Sequence, residues 1–198
     1  NALINSIGQG KRILCLLTLF SAFYSFSFAQ NLSRHIPPSV TFLMSIDGSS
    51  LFQKVDPKEM ANLPMIKEDI AGERYSQELS FFSDPEQYGV NINGSFHFFN
   101  SSTKEMTYNC FMIPLTQSAR FETYAKNQLG EAVKREGNGY ELYLTDDQVI
   151  AWGSDFALLL FGEMSYANFQ VYEMDYEEQT ALVREAMVSE AETIYNRS

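Results

Sequence analysis

Histidines, free thiols and paired acids are the side chains that bind metals, attack carbonyls and move protons. This chain holds few of them in useful spacing. His35 and His97 are its only histidines, 62 positions apart, and neither sits in a ligand-spaced motif. No metal residues are expected. Cys110 lies in the apolar stretch YNCFMIPL, where a free thiol acts as a small buried hydrophobe. A catalytic thiol would need a base beside it and a polar, partly exposed setting. Asp146-Asp147 looks like a carboxylate pair, but adjacent strand positions point to opposite faces, so the dipeptide reads as a turn. Asp47-Gly48-Ser49-Ser50 is too short for an EF-hand calcium loop, which needs alternate acids and a distal Glu. Glu173, Asp175, Glu177 and Glu178 cluster locally. They read as solvated surface, with a cation-binding site as the sharper alternative.

Nucleophilic and phosphate chemistry find no motif either. The chain has no G-x-S-x-G elbow, no P-loop and no G-x-G-x-x-G fingerprint. Gly137 and Gly139 do not open a helix, so they form no phosphate cradle of the usual kind. Tyr140, Tyr143, Trp152 and Phe156 could make an aromatic patch for a sugar or peptide. Aromatics in a meander are more often core or cross-strand pairs. No catalytic, cofactor-binding or metal residue is assigned, and no cofactor is expected.

The elements that would position any site can be read in order. Pro37-Pro38 holds the entry extended. Val40 to Ile46 alternates, with Phe42, Met44 and Ile46 on one face, and predicts a strand with one well-buried face. Asp47-Gly48 turns the chain, and Asp47 or Ser49 caps a helix carrying Leu51 and Phe52. Asp56-Pro57-Lys58-Glu59 starts a helix, Pro64 interrupts, and a longer helix runs to about Phe82. Ser83 to Glu86 caps one more turn, ended near Gly89. Phe96 to Asn100 and Met106 to Leu115 read as a hairpin. Thr116 to Leu129 is a helix with Phe121, Ala125 and Leu129 on one stripe and Gly130 as its stop. Four short segments follow: Ala132 to Glu136, Tyr140 to Leu144, Gln148 to Trp152 and Phe156 to Phe161. The turns between them make an antiparallel meander. Leu182 to Tyr195 is helical again, and its apolar side (Val183, Met187, Ala191, Ile194) has no evident partner in the sequence.

The start of the chain has a different character. Lys11 and Arg12 precede an apolar run from Ile13 to Phe28, and Ser27-Phe28-Ala29 offers small residues for signal peptidase. Residues 1–29 therefore read as a signal peptide cleaved between Ala29 and Gln30. An uncleaved anchor is the alternative. Cys15 follows bulky Leu14 near the start of that run, so it does not read as a lipoprotein cysteine. No later segment is long and apolar enough to span a bilayer. The formal charge of −11 becomes −13 on cleavage, because the leader carries Lys11 and Arg12 and no acid. So acidic a body repels phosphate backbones, and nucleic acid is not expected as a partner. The chain begins with Asn1 rather than Met and stops within a helical pattern, which suggests a piece of a longer protein.

With these residues laid out, the sequence resembles the domain of unknown function numbered 4836, found in exported proteins of Bacteroidota. Four blocks carry the likeness: IPPSVTFLMSIDGSSLFQK, DPEQYGVNINGSFHFF, MIPLTQSARFETYAK and VIAWGSDFALLL. They match, in order, the family's strand with "SID" and a Leu-plus-Lys helix, and its acidic-Pro segment before an aromatic strand. Next come its strand-to-helix step and its Trp-bearing strand pair. Together they span about residues 36 to 162. Members are typically longer than this chain. The family brings no known activity and no site residues.

These readings combine into one expectation. The fold is α+β: an antiparallel-rich sheet, a meander in its second half, with helices packed on one side. Residues 30–178 form the domain, and 179–198 begin a helix leading to a missing C-terminal part. The protein is expected to be exported to the periplasm or cell surface. There it serves as a non-enzymatic binding or structural module for an envelope protein or small ligand. The alternative is an exported hydrolase whose site lies in the missing part. A third class, an inhibitor or chaperone-like partner, requires an exposed apolar groove between sheet and helices.

Overall fold

Period-two stretches rich in Phe, Tyr, Ile and Val fill the middle of the chain, and each forms a strand. The computed structural model describes residues 32–61, 81, 83–129, 132–146, 148–165 and 175–197. The signal segment with Ala29 and Gln30, the helix expected up to Phe82, the stop at Gly130, Asp147 and Glu173 lie outside the described residues. Among the described residues one seven-stranded sheet forms. Its strands are β1 (Val40–Asp47), β2 (Ser95–Ser102), β3 (Met106–Pro114), β4 (Val133–Glu136), β5 (Tyr140–Leu144), β6 (Gln148–Gly153) and β7 (Phe156–Met164). Their order is β1-β2-β3-β7-β6-β5-β4, with every neighbouring pair antiparallel. Two meanders thus meet at β3 and β7. The fold is α+β, as the element pattern predicts.

The turns explain the hairpins. Gly137 N–H donates to Tyr140 O at 2.8 Å, and Gly139 sits at φ +80°, a left-handed position that glycine occupies without strain. Gly89 at φ +79° closes the 3-10 turn Pro85–Tyr88, and a β-carbon there would stand 2.1 Å from Gln117 O. That close approach lets Thr116 and Gln117 N–H both donate to Gly89 O, at 2.8 and 3.2 Å. The contact ties the Pro85–Tyr88 turn to the link between β3 and the helix that follows.

The helices are α1 (Gly48–Phe52), α2 (Pro57–Ala61), α3 (Ser118–Leu129) and α4 (Tyr176–Tyr195). Directly opposed residues share a face and alternate along each strand, so the pairing registers assign every side chain to a face. Cys110, Leu160, Val149, Leu158, Ala151 and Leu142 fall on one face, under Met187, Val188, Ala191 and Ile194 of α4. Ile150, Tyr143, Trp152, Ala157 and Ile113 fall on the other, under Phe121 and Ala125 of α3. The α+β class and the meander are as expected, but the long helices do not share one side. The reason is in the central strands. Phe156 to Phe161 is continuously apolar and so needs cover on both faces.

The C-terminal helix is likewise part of this fold. Asp175 caps it, accepting from Glu178 N–H at 2.9 Å. Its apolar side does find a partner, the sheet itself. Tyr195 lies stacked between Tyr140 and Phe156, each ring centre 4.4 Å away, and its hydroxyl donates to Phe156 O at 3.1 Å. The expected boundary at residue 178 therefore falls inside α4 and does not separate it from the core. Ile194 is fully buried. Ile194→Ala should cost about 2–5 kcal/mol in urea unfolding, the usual range for a large buried aliphatic cut to alanine. A loss below about 1 kcal/mol would mean that α4 does not belong to the cooperative core.

Candidate functional site

Most residues that could do chemistry are held by structural contacts. Asp47 is a cap: it accepts from Ser50 N–H at 2.8 Å and from the Ser49 hydroxyl at 2.7 Å. Those bonds, the Ser50 amide first, hold its carboxyl below the ordinary carboxylate range. Cys110 is fully buried, and burial pushes its thiol up, so it stays protonated. Asp146 pairs with Arg184 of α4. Tyr140 and Phe156 face α4 while Tyr143 and Trp152 face α3, and all four are buried, so the imagined aromatic patch is divided between two cores. Asp175 is the α4 cap, and Glu177 lies in its first turn. Glu190 is partly desolvated on α4, which raises its carboxyl, and it is hydrogen-bonded to Ser101. Among the described residues no three His, Cys, Asp or Glu side chains gather as a ligand set.

His35 belongs to the α4 core. Its Nδ1–H donates to Ile194 O at 3.1 Å, leaving Nε2 to accept from Arg34 Nε at 3.1 Å, while its ring lies 4.8 Å from Phe156. His97 is 7% exposed, at the core edge. It stands opposite Ser45 on β1, whose hydroxyl is 2.8 Å from His97 Nδ1. His97 Nε2 is buried without a hydrogen-bond partner among the described residues.

A cleft of about 610 Å³ lies between the Pro85–Tyr88 turn and α3, lined by Gln87, Tyr88, Arg120, Thr123, Tyr124 and Asn127. In its wall Tyr124 stacks on Phe81, and Tyr88 lies tilted against both rings. The lining mixes polar and aromatic side chains, and its one charged residue, Arg120, is exposed.

The feature that sequence reasoning missed is β1. Its alternation predicts one buried face, yet seven of its eight residues are exposed. Phe42, Leu43, Met44 and Ile46 are 50, 45, 44 and 36% exposed. The strand is the outermost of the sheet, and α3 covers the far half of its face, not this half. From Phe42 a row of rings crosses the open half. Phe42 lies 5.9 Å from Phe98, Phe98 lies 4.6 Å from Phe111, and Phe111 lies 6.3 Å from Phe161. Phe111 is 43% exposed. Beside the row Asn100 and Asn109 hydrogen-bond side chain to side chain. Four strands thus present apolar rings together with a free backbone edge. No local signal could have found it: Phe42-Leu43-Met44 is apolar at consecutive positions, and such a run by itself predicts cover on both faces, as in Phe156 to Phe161.

No known protein family matches the chain, and no curated protein does. Among the described residues no helix is long and apolar enough to cross a membrane.

Desolvation lowers the pKa of His97 from its ordinary value near 6.5. The unfolded chain therefore takes up a proton before the folded one does. The contribution of the neutral ring is whole above that value and is lost as pH falls through and below it. Because Ser45 is its partner, the loss concentrates on β1. Amide exchange in β1, corrected for intrinsic rate, should speed up relative to β6 between about pH 7 and about pH 5. In His97→Phe that difference should vanish. Unchanged β1 protection in the parent chain would refute the coupling.

Proposed function

We propose that this chain is an exported envelope protein that works as a non-enzymatic binding or structural module, with β1 and the aromatic row as its contact surface. The observation that carries the reading is the row Phe42, Phe98, Phe111 and Phe161 lying open beside the outer edge of β1, which among the described residues has a strand neighbour on one side alone, β2. Contiguous apolar surface of this kind is costly in water and marks sites of association. A free edge adds a line of unpaired N–H and C=O groups, which a strand or an extended peptide satisfies. The leader pattern ending at Ala29 supports export to the periplasm or cell surface. The acidic body supports a protein or small-ligand partner over nucleic acid.

The resemblance to the domain of unknown function numbered 4836 belongs to the same proposal. Its four blocks fall on β1 with α1, on the Pro85–Tyr88 turn with β2, on β3 with α3, and on β6 with β7. These elements include every strand that carries the row.

Two measurements on the native host test the reading. Fractionation with N-terminal sequencing should find the chain beginning at Gln30 in the periplasmic or cell-surface fraction. An intact leader in the inner membrane would sink the export half. A photo-crosslinking residue at Phe111 should give a discrete adduct in the cell, while one at Val133, exposed on β4, should give none. Failure at Phe111 would remove the binding surface.

A further inference from the structure

The two edges of the sheet are built differently. β4 is four residues long and carries Lys134, Arg135 and Glu136. Lys134 is paired with Glu141 at 2.9 Å and Glu122 at 3.6 Å, and Arg135 with Glu185 at 2.9 Å. Short, charged edges are how native sheets refuse further strands. β1 is eight residues long, and its one charge is Asp47 at its last position. Val40 to Ile46 contains no charge and no proline. Its one irregularity, a register shift between Val40 and Phe42, leaves Phe42 to Asp47 regular against β2.

We propose that β1 is a self-association edge, on which the β1 of a second copy pairs antiparallel about a two-fold axis at Met44. This rests on the binding-surface reading above and names its partner. The geometry favours a second copy for three reasons. First, an antiparallel pair with two-fold symmetry keeps faces aligned, so Phe42, Met44 and Ile46 continue onto the same residues of the copy. Centred on Met44, the register sets Phe42 against Ile46, Leu43 against Ser45 and Thr41 against Asp47. No like charges oppose each other. Second, the chain carries a net charge of −11, so contact between copies through acidic surface is disfavoured, and a neutral strip avoids that repulsion. β1 is such a strip. Third, the guarded β4 edge blocks head-to-tail growth, so association closes at two copies instead of forming a fibre.

The half-exposed side chains of Phe42, Leu43, Met44 and Ile46 bury on the order of 300 Å² per copy, below the ~800 Å² of a standard interface. The dimer is accordingly weak and depends on concentration.

Met44→Cys in a Cys15→Ser background tests the register, using the full chain expressed with its leader and purified from the envelope. Cys110 is buried and does not compete. Directly opposed residues in an antiparallel pair have Cα atoms about 4.5–5.5 Å apart, within the range a disulfide spans. Mild oxidation should give a covalent dimer in high yield, and Val133→Cys on β4 should give little. Sedimentation of the parent chain should shift toward twice the chain mass as concentration rises. Met44→Lys, which sets two ammonium groups on the axis, should weaken that shift at least tenfold, with an unchanged circular dichroism spectrum. A parent chain that stays monomeric, or equal cross-linking from β4, overturns the proposal. So does a Phe111 adduct formed only with a different envelope protein, although that result would leave the binding-module reading standing.

Discussion

The pairing of β3 with β7 is the constraint on which the rest of the structure depends. It runs over nine positions, from Met106 opposite Met164 to Pro114 opposite Phe156, and it joins the two meanders. The hairpins β2–β3, β4–β5, β5–β6 and β6–β7 close over short turns, while the β1–β2 pair, like β3–β7, closes a long connection, the 47 residues from Gly48 to Gly94. The β3–β7 pair closes the 41-residue connection from Leu115 to Asp155, so it must bring enough apolar burial to offset that entropy. It does so by being apolar on both faces. Cys110 and Leu160 are fully buried on one side, and Ile113 and Ala157 are buried on the other. A sheet centre of that kind needs cover over Ile113 and Ala157 as well as over Cys110 and Leu160, although the first of these faces opens to water at Phe111. The connection from β3 to β4 therefore crosses one face as α3, and the chain returns after β7 to cover the other with α4.

This dependence explains which parts were legible. Strand positions and turn residues are local, and the sequence shows them plainly: Gly139 sits where a left-handed turn is needed, and Asp175 caps α4. The side on which a helix lands is not local. Val183, Met187, Ala191 and Ile194 mark an apolar stripe, but the stripe does not say which face of which strands it meets. The continuous run FALLLF held that information, because a strand with no polar side needs two covers. β1 went the other way. Phe42, Met44 and Ile46 alternate as a half-buried strand should, yet alternation is silent about position in the sheet. An edge strand with the same pattern stays open wherever no helix reaches it.

The candidate site was legible chiefly by elimination. His35, Cys110, Asp47, Asp146 and the aromatics of the meander each look chemical in isolation. Each has a structural partner instead: Ile194 O, the apolar core, the Ser49–Ser50 cap, Arg184 and the two helices. His97 is the residue whose environment adds something the sequence did not show. Its bond to Ser45 links a buried, titrating ring to the exposed strand.

What remains exposed is backbone chemistry. A paired β1 would use groups that every residue possesses, an N–H and a C=O, so no motif search can find such a site. Only its surroundings distinguish it: neutral side chains on an acidic protein, rings placed beside it on β2, β3 and β7, and a charged edge on the opposite side. A protein selected only for solubility would place a lysine in β1, as it does in β4, at almost no cost to the fold. The absence of that charge from a strand already exposed at seven positions is the strongest physical reason to read β1 as a surface that meets another chain.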